Sequence, residues 1–182
     1  MSDHDSISGL QRIFLENGEV HIKGGINDET AEHVHLCFLH LRAHGSPDVT
    51  VFIRSDGGVL DAGLHIYDEF RHYPGKTKGI VTGFAHSAAA TLLQGCTKRL
   101  AYRHSTILVH DGSFVTQIKS QNLSNKDLFE MRDDMQKSMA RTHKILAQHT
   151  KLTMPKIRSL MARDKKLSAQ EALAIGLIDG IC

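Results

Sequence analysis

Ser87 lies where a short β-rich segment gives way to strong helix formers, a position that suits a nucleophile. The segment before it spans 77–82, and the run after it, 88–94, reads Ala-Ala-Ala-Thr-Leu-Leu-Gln. At such a turn the hydroxyl is exposed, and the free N–H groups of the first helical turn face incoming negative charge. The surrounding residues do not form the Gly-x-Ser-x-Gly motif of hydrolases. The alternative interpretation is a serine that caps a helix.

A second strand-to-helix junction carries the segment Ser55-Asp56-Gly57-Gly58. It follows a predicted buried strand over 49–53, and a helix is predicted from about Leu60 to Tyr73. The glycine pair leaves backbone N–H groups unshielded, so this loop can cradle a phosphate or stabilise an oxyanion. The lysine of a P-loop is absent, and a plain strand-to-helix turn remains the alternative.

His110 closes a predicted strand over 106–109. From the end of that strand, its imidazole can reach a neighbouring loop such as the one that holds Ser87. A base within reach of a serine hydroxyl is the arrangement that activates serine nucleophiles.

The order of the predicted elements indicates an α/β fold. Two strand–turn–helix units in series favour parallel strands joined by crossover helices. Ahead of them, strands at 12–15 and 19–22 are predicted around the turn dipeptide Asn17-Gly18. The remaining predicted elements are a helix from about Asn27 to Ala43 and strands at 77–82, 99–102 and 106–109.

A long helix is predicted near the C-terminal end of the chain. Ser124-x-x-Asp127 reads as a capping box, and apolar side chains rich in methionine recur every three or four residues as far as His149. A helix of this length either projects from the body and packs against a second copy, or forms part of the core. A second capping box, Ser168-x-x-Glu171, is expected to open the last helix, and Gly176 to end it.

Histidine and cysteine spacing gives little indication of a metal site or a disulfide. His40 and His44 lie one helical turn apart and can in principle share a metal ion, but no glutamate follows His40 as in zinc proteases. A solvated helix face is the expected alternative. The three cysteines, Cys37, Cys96 and Cys182, stand far apart, which favours reduced thiols.

Length and composition favour one domain and exclude several classes of protein. With 182 residues the chain can bury a single core. The formal charge of +2, with scattered basic residues, does not indicate nucleic-acid binding. The start of the chain lacks the features of a signal peptide, and no apolar run is long enough to span a bilayer, so a cytoplasmic protein is expected.

Taken together, these segments resemble ClpP, the proteolytic subunit of the Clp protease, from about Arg12 to the C-terminus. Five stretches carry the resemblance in the family's order: VFIRSDGG from Val51, AGLHIYD from Ala62, GFAHSAAA from Gly83, STILVH from Ser105, and RDKKLSAQEA from Arg163 followed by GLID. The resemblance implies the ClpP/crotonase-like fold of repeated β-β-α units with a projecting handle helix. The chain 1–182 is then a single domain, with a head of about 12–112 and 166–182 and a handle of about 113–165.

The resemblance also assigns roles to particular residues. The family's catalytic triad falls on Ser87 as nucleophile, His110 as general base and Asp164 as the group that orients the histidine. The backbone N–H groups of Gly57 and Ala88 would form the oxyanion hole, and Gly58 would bind substrate. Asp111 adjoins His110 and is a rival for the third triad role, although it should point to the opposite side of the strand.

The activity implied is that of a serine endopeptidase, which cleaves peptides or unfolded proteins through an acyl-enzyme without metal or cofactor. Family members form homo-oligomers, normally two stacked heptameric rings with the active sites facing an inner chamber. ATP would be used only by a separate AAA+ unfoldase, and residues 1–11 are too short to supply the axial loops that contact it.

The sequence departs from the family's pattern at several places. Asp56 replaces a proline beside the proposed oxyanion hole, where an inward carboxylate would oppose developing negative charge. Ala88 replaces a methionine, and 110–119 lacks the family's His-Gln-Pro and glycine-rich segment. Two alternatives therefore accompany the peptidase hypothesis: a catalytically silent scaffold or regulatory subunit, and a crotonase-like acyl-CoA enzyme.

Overall fold

Alternating parallel strands and helices make up the N-terminal part of the structure. A computed structural model describes residues 9–111 and 124–182 of the chain. The elements up to the nucleophile region are α1 (Gly9–Glu16), β1 (Glu19–Ile26), α2 (Asp28–Ala43), β2 (Val49–Gly58), α3 (Leu60–His72), β3 (Thr77–His86) and α4 (Ala88–Leu93).

The C-terminal part adds short strands and the longest helix of the described chain. Its elements are β4 (Lys98–Ala101), β5 (Thr106–Leu108), α5 (Asn125–His149), α6 (Met154–Met161), β6 (Leu167–Ser168), α7 (Ala169–Ile175) and β7 (Gly180–Ile181). The described strands follow the order β1-β2-β3-β4-β7, while β5 pairs with both β3 and β6. These pairs are parallel, except that β5 and β6 run antiparallel.

The sheet is buried because helices from the crossover connections pack on it. Val49, Val51 and Ile53 of β2 are almost fully buried, as expected for a central strand of a parallel sheet. Helix α2 packs on β1 and on α3, and α4 packs on α3 and β2. The predicted α/β class with parallel strands and crossover helices is confirmed.

The predicted N-terminal hairpin is wrong. Residues 12–15 belong to α1, and β1 pairs in parallel with β2 instead of folding back on a preceding strand. The Asn17-Gly18 dipeptide ends the helix: Gly18 adopts a positive φ of 69°, and its N–H donates to the carbonyl of Leu15 at 2.9 Å. Glycine in the left-handed region commonly ends a helix, so an Asn-Gly dipeptide is compatible with a helix C-terminus as well as with a hairpin turn.

The glycine pair after the predicted strand at 49–53 lies within β2 instead of forming a separate loop. Gly57 and Gly58 lie opposite Gly25 and Ile26 of β1, after a register shift that follows Lys23 on the partner strand. A Cβ at Gly58 would lie 2.2 Å from the carbonyl oxygen of Ile26, so glycine is required for the two backbones to approach.

Helix α5 packs on the body only along its C-terminal part. Leu146 and Thr142 are buried, whereas Phe129 is 63 % exposed and Met131 41 % exposed. The capping box of Ser124 and Asp127 is present as predicted. The N-terminal half of the helix is therefore exposed, as the handle hypothesis requires, and its C-terminal half belongs to the core.

The ends of the last helix also follow the sequence prediction. Ser168 and Glu171 form the second capping box, and Gly176 ends α7 in the left-handed conformation with φ of 83°. The predictions that concern residues 1–8 and 112–123, including the polar segment after His110 and most of the N-terminal stretch judged too short for axial loops, lie outside the described residues.

Two further expectations can be compared with the described chain. Cys37 and Cys96 are buried free thiols and Cys182 is an exposed one, so the three cysteines form no disulfide with one another. Among residues 9–111 and 124–182, no helix has the length and apolar character needed to cross a membrane.

Candidate active site

Ser87 occupies a strained turn between β3 and α4. Its backbone has φ of 55° and ψ of −123°, and its N–H donates to the carbonyl of Leu108 at 2.8 Å. The serine side chain makes no capping hydrogen bond to α4. A non-glycine residue is held in this unfavourable region only when surrounding structure enforces it, which is typical of functional positions. The geometry therefore does not support the helix-cap alternative and leaves the half-buried serine hydroxyl free for another role.

The pairing of β5 with β3 brings His110 to Ser87. His86 pairs with Leu108, so the residues that follow both strands emerge side by side. Ser87 and His110 line the same cavity of about 400 Å³. Within the described residues, no hydrogen bond joins the hydroxyl of Ser87 to the ring of His110. Catalytic hydrogen bonds are often long or poorly aligned without substrate, so His110 remains the candidate base.

Asp164 reaches His110 through the antiparallel pairing of β5 with β6. Ile107 faces Leu167 at the end of this pair, and the segments that continue from these two residues carry His110 and Asp164. The Nδ1 atom of His110 lies 3.1 Å from Oδ1 of Asp164, with side-chain exposures of 21 % and 71 %. Asp164 also has a positive φ, 50°. The carboxylate therefore lies at the ring nitrogen that a triad acid is expected to hold.

The two proposed oxyanion donors lie beside the serine. A Cβ on Gly57 would lie 2.7 Å from Cβ of Ser87 and 3.0 Å from the backbone nitrogen of Ala88, so only glycine permits this approach. The Gly57 N–H, however, donates to the hydroxyl of Ser55 at 3.0 Å. Gly58 lines the cavity together with Ala88. The predicted donors are adjacent, and the Gly57 N–H would have to leave Ser55 to bind an oxyanion.

Comparison with known proteins identifies the family. The family model described as Clp protease matches residues 3–182. The chain belongs to the Clp protease family. Among solved structures, a mutant of ClpP1 from Listeria monocytogenes matches with a TM-score of 0.83 and 24 % identity, over 95 % of each chain. The resemblance is confirmed, and the chain has the ClpP fold.

Asp111, the rival for the acid role in this Clp protease family member, faces the long helix. Its Oδ1 lies 3.1 Å from Nε2 of His143, which belongs to α5. Its backbone N–H donates to the carbonyl of Met161 at 3.3 Å. Asp111 thus connects the end of β5 to α5 and α6, whereas Asp164 faces the His110 ring.

Asp56 is held away from the oxyanion site by a histidine that sequence reasoning did not single out. Its Oδ1 lies 3.1 Å from Nδ1 of His86, and Nε2 of His86 lies 3.0 Å from the Thr106 hydroxyl. Burial lowers the pKa of His86 despite the nearby carboxylate. A neutral imidazole that donates from Nδ1 to Asp56 and accepts from Thr106 satisfies both contacts. Asp56 is 79 % exposed and does not line the cavity.

The cavity beside Ser87 is largely apolar and rich in methionine. Its methionine side chains are those of Met131, Met135, Met139 and Met161. Two carboxylates also line it, those of Asp134 and Asp61, and Oδ1 of Asp61 accepts a hydrogen bond from the hydroxyl of Ser138 at 2.7 Å. The sequence showed the methionine stripe but not what it faces, because residues of α3 and α4 that line the same cavity are far from α5 in the chain.

The rings of His40 and His44, the candidate metal ligands of the sequence, stack on one another. Their ring centroids are 4.1 Å apart, and Nδ1 of His44 donates to the carbonyl of His40 at 2.7 Å. The contact with the backbone occupies one ring nitrogen of His44. The pair is consistent with the expected solvated helix face.

Proposed function

We propose that this chain is a ClpP-type serine endopeptidase that hydrolyses peptides or unfolded proteins through an acyl-enzyme. The observation that carries the proposal is the convergence of Ser87, in its strained turn, with His110 and the carboxylate of Asp164. Two of the three non-glycine residues with positive φ in the described chain are Ser87 and Asp164. Backbone strain at two residues of the same candidate triad is expected for a preorganised site.

The chemistry divides into acylation and hydrolysis. The Ser87 Oγ attacks the peptide carbonyl while Nε2 of His110 takes its proton, and Asp164 stabilises the resulting imidazolium through Nδ1. As the C–N bond breaks, His110 returns the proton to the leaving amine. A water molecule, deprotonated by His110, then attacks the ester and releases the carboxylic acid, which restores the serine hydroxyl.

The oxyanion step requires a local rearrangement at Ser55. The Gly57 N–H donates to the Ser55 hydroxyl before substrate binds. A tetrahedral oxyanion is a stronger acceptor than a hydroxyl, so it would draw this N–H away and pair it with that of Ala88. Asp56 does not oppose this charge, because His86 holds its carboxylate at the surface.

The cavity supports peptides with long, unbranched apolar side chains next to the scissile bond. Methionine side chains are flexible and polarizable, so they adapt to such groups better than to rigid ones. The volume of about 400 Å³ is within the range of small-ligand pockets. We infer that this wall, formed by α5, contributes more to side-chain selection than the small Ala88.

Covalent labelling tests the proposed nucleophile. A fluorophosphonate is expected to modify the protein at one serine, and Ser87→Ala should abolish the labelling, because only an activated hydroxyl attacks phosphorus at a useful rate. Mass spectrometry of the intact protein and its peptides measures the labelling at one serine and its loss in Ser87→Ala. Ser159→Ala, at an exposed serine of α6, is the matched control and should label normally.

The outcomes separate this proposal from its alternatives. Absence of labelling and of peptide cleavage in the assembled protein would indicate a silent scaffold subunit. Retention on an immobilised CoA thioester, again without peptidase activity, would indicate a crotonase-like enzyme. Labelling that persists in Ser87→Ala would assign the reactive serine elsewhere and overturn the proposed mechanism.

Assembly into stacked heptameric rings is the second part of the proposal. The exposed Phe129 and Met131 near the start of α5 support a partner copy at that helix. The same helix walls the cavity beside Ser87, so loss of the partner should disturb the site.

Dilution to subunits is therefore expected to reduce peptide cleavage and serine labelling together. Particle mass and labelling rate are measured at the same protein concentrations. Phe129→Glu should shift the mass to smaller species, whereas Gln136→Glu adds the same charge on the same helix and serves as control. Full activity per chain in a monomeric sample would contradict the chamber model.

A further inference from the structure

Two histidines and a glutamate from neighbouring helices converge on the surface of α2 and α3. We propose that His35, His65 and Glu69 bind a divalent transition-metal ion of the zinc class. Nδ1 of His35 lies 2.6 Å from Oε1 of Glu69, and Nε2 of His65 lies 3.9 Å from the same oxygen. The three ligand atoms all lie within 4.8 Å of one another.

These distances require little movement to accept an ion. Ligand atoms bound to one tetrahedral zinc at about 2.0–2.1 Å lie roughly 3.3 Å apart. The observed separations bracket that value on either side. His65 and Glu69 are four residues apart on α3, so the regular helix places both on one face, while His35 approaches from α2.

The carboxylate is prepared for this role by a second contact. Nη2 of Arg42 donates to Oε2 of Glu69 at 2.9 Å, which leaves Oε1 directed toward the two imidazoles. The Glu69 side chain is only 10 % exposed. Arg42 therefore orients Glu69 as outer partners orient metal ligands.

The ligand set selects the class of ion. Two imidazoles and one carboxylate suit zinc and its first-row neighbours, whereas calcium and magnesium prefer oxygen ligands alone. His35 and His65 are 34 % and 52 % exposed, so an ion can enter from solvent and a water molecule can complete its coordination. The positive charge of Arg42 lies close to the site and repels a metal cation. We therefore expect the affinity for the ion to be moderate rather than extreme.

This site is separate from the cavity that holds Ser87 and His110. None of its three ligands lines that cavity. A bound ion would connect α2 to α3, the helix that follows the glycine pair of β2, and would stabilise this packing. The inference does not depend on peptidase activity.

Zinc titration of the metal-free, full-length protein tests the proposal. Isothermal calorimetry should detect about one zinc ion bound per chain at micromolar concentrations, and Co²⁺ should give the visible absorption of a tetrahedral site. His65→Ala and Glu69→Gln should each weaken binding by about tenfold or more, because even an outer-shell partner is worth about 10–100-fold. Thermal unfolding of each variant without metal verifies the fold.

The chain contains 13 histidines, so a control must exclude adventitious binding. The double variant His40→Ala/His44→Ala removes the stacked histidine pair at the C-terminal end of α2 and should bind zinc as the unmodified protein does. Zinc binding that survives His65→Ala but is lost in this control would overturn the proposal. So would a wild-type protein that binds no zinc at micromolar concentrations.

Discussion

Replacing Asp164 by asparagine is expected to lower kcat for peptide cleavage by about 10²–10⁴-fold, with KM little changed. The carboxylate lies 3.1 Å from Nδ1 of His110. An amide of the same shape can present an N–H there and favour the wrong tautomer of the imidazole. It also provides no charge to stabilise the imidazolium. Because the Asp164 side chain is 71 % exposed, solvent screens its charge and the loss should fall toward the lower end of this range.

Asp111→Asn is the matched control for this variant. The change is chemically identical and lies next to His110, but the Asp111 carboxylate contacts His143 on α5. We expect kcat to change by less than about tenfold, since no charge at the His110 ring is lost. Steady-state kinetics on a fluorogenic peptide measure both variants. A large loss in Asp111→Asn together with near-normal Asp164→Asn would reverse the two roles.

Asp164, the proposed acid, illustrates what the residues alone could not predict. Ser87 is recognisable locally, because its strand, turn and helix are contiguous in sequence. Asp164 is identified only through resemblance, since its approach to His110 depends on the antiparallel pairing of β5 with β6. The strand β6 has only two residues, Leu167–Ser168, too few for a periodic pattern.

Contacts between distant segments account for the other differences. The Asp56–His86 pair joins two strands, and a single sequence holds no signal that these two residues contact each other. Asn17-Gly18 is compatible with both a hairpin turn and a helix terminus, and the choice depends on where Leu15 can be buried. Local patterns that indicate mainly one structure, such as the Ser168–Glu171 capping box, led to correct predictions.

Arg99→Met is expected to destabilise the folded chain by about 3 kcal/mol, which corresponds to a fall in Tm of roughly 6–12 °C. The side chain is only 11 % exposed and pairs with Asp179. Its Nη1 also donates to Oε1 of the buried Gln94 at 2.6 Å and to the carbonyl oxygens of His149 and Gly176. One guanidinium thus satisfies acceptors at the C-terminal ends of α4, α5 and α7. Methionine fills a similar volume but leaves these acceptors unpaired.

Two further variants isolate the role of the guanidinium. Arg103→Met changes an exposed arginine and should alter stability by less than about 0.5 kcal/mol. Arg99→Lys keeps the charge but cannot reproduce the fork of donors, so an intermediate loss is expected. All are compared by thermal unfolding at one protein concentration, because assembly also affects Tm. Equal stabilities for Arg99→Met and Arg103→Met would show that the network contributes nothing measurable.

The dependence of this difference on pH provides an independent check. Burial would raise the pKa of Asp179, but hydrogen bonds from the Arg99 side chain and backbone outweigh burial and lower it. A carboxyl whose pKa is lower in the folded state stabilises that state above its unfolded value of about 4, and the contribution disappears as pH falls through the folded pKa. The stability gap between the unmodified protein and Arg99→Met should therefore be widest near neutral pH and narrow below about pH 4. A gap that stays constant across this range would show that packing, and not the ion pair, accounts for the effect of Arg99.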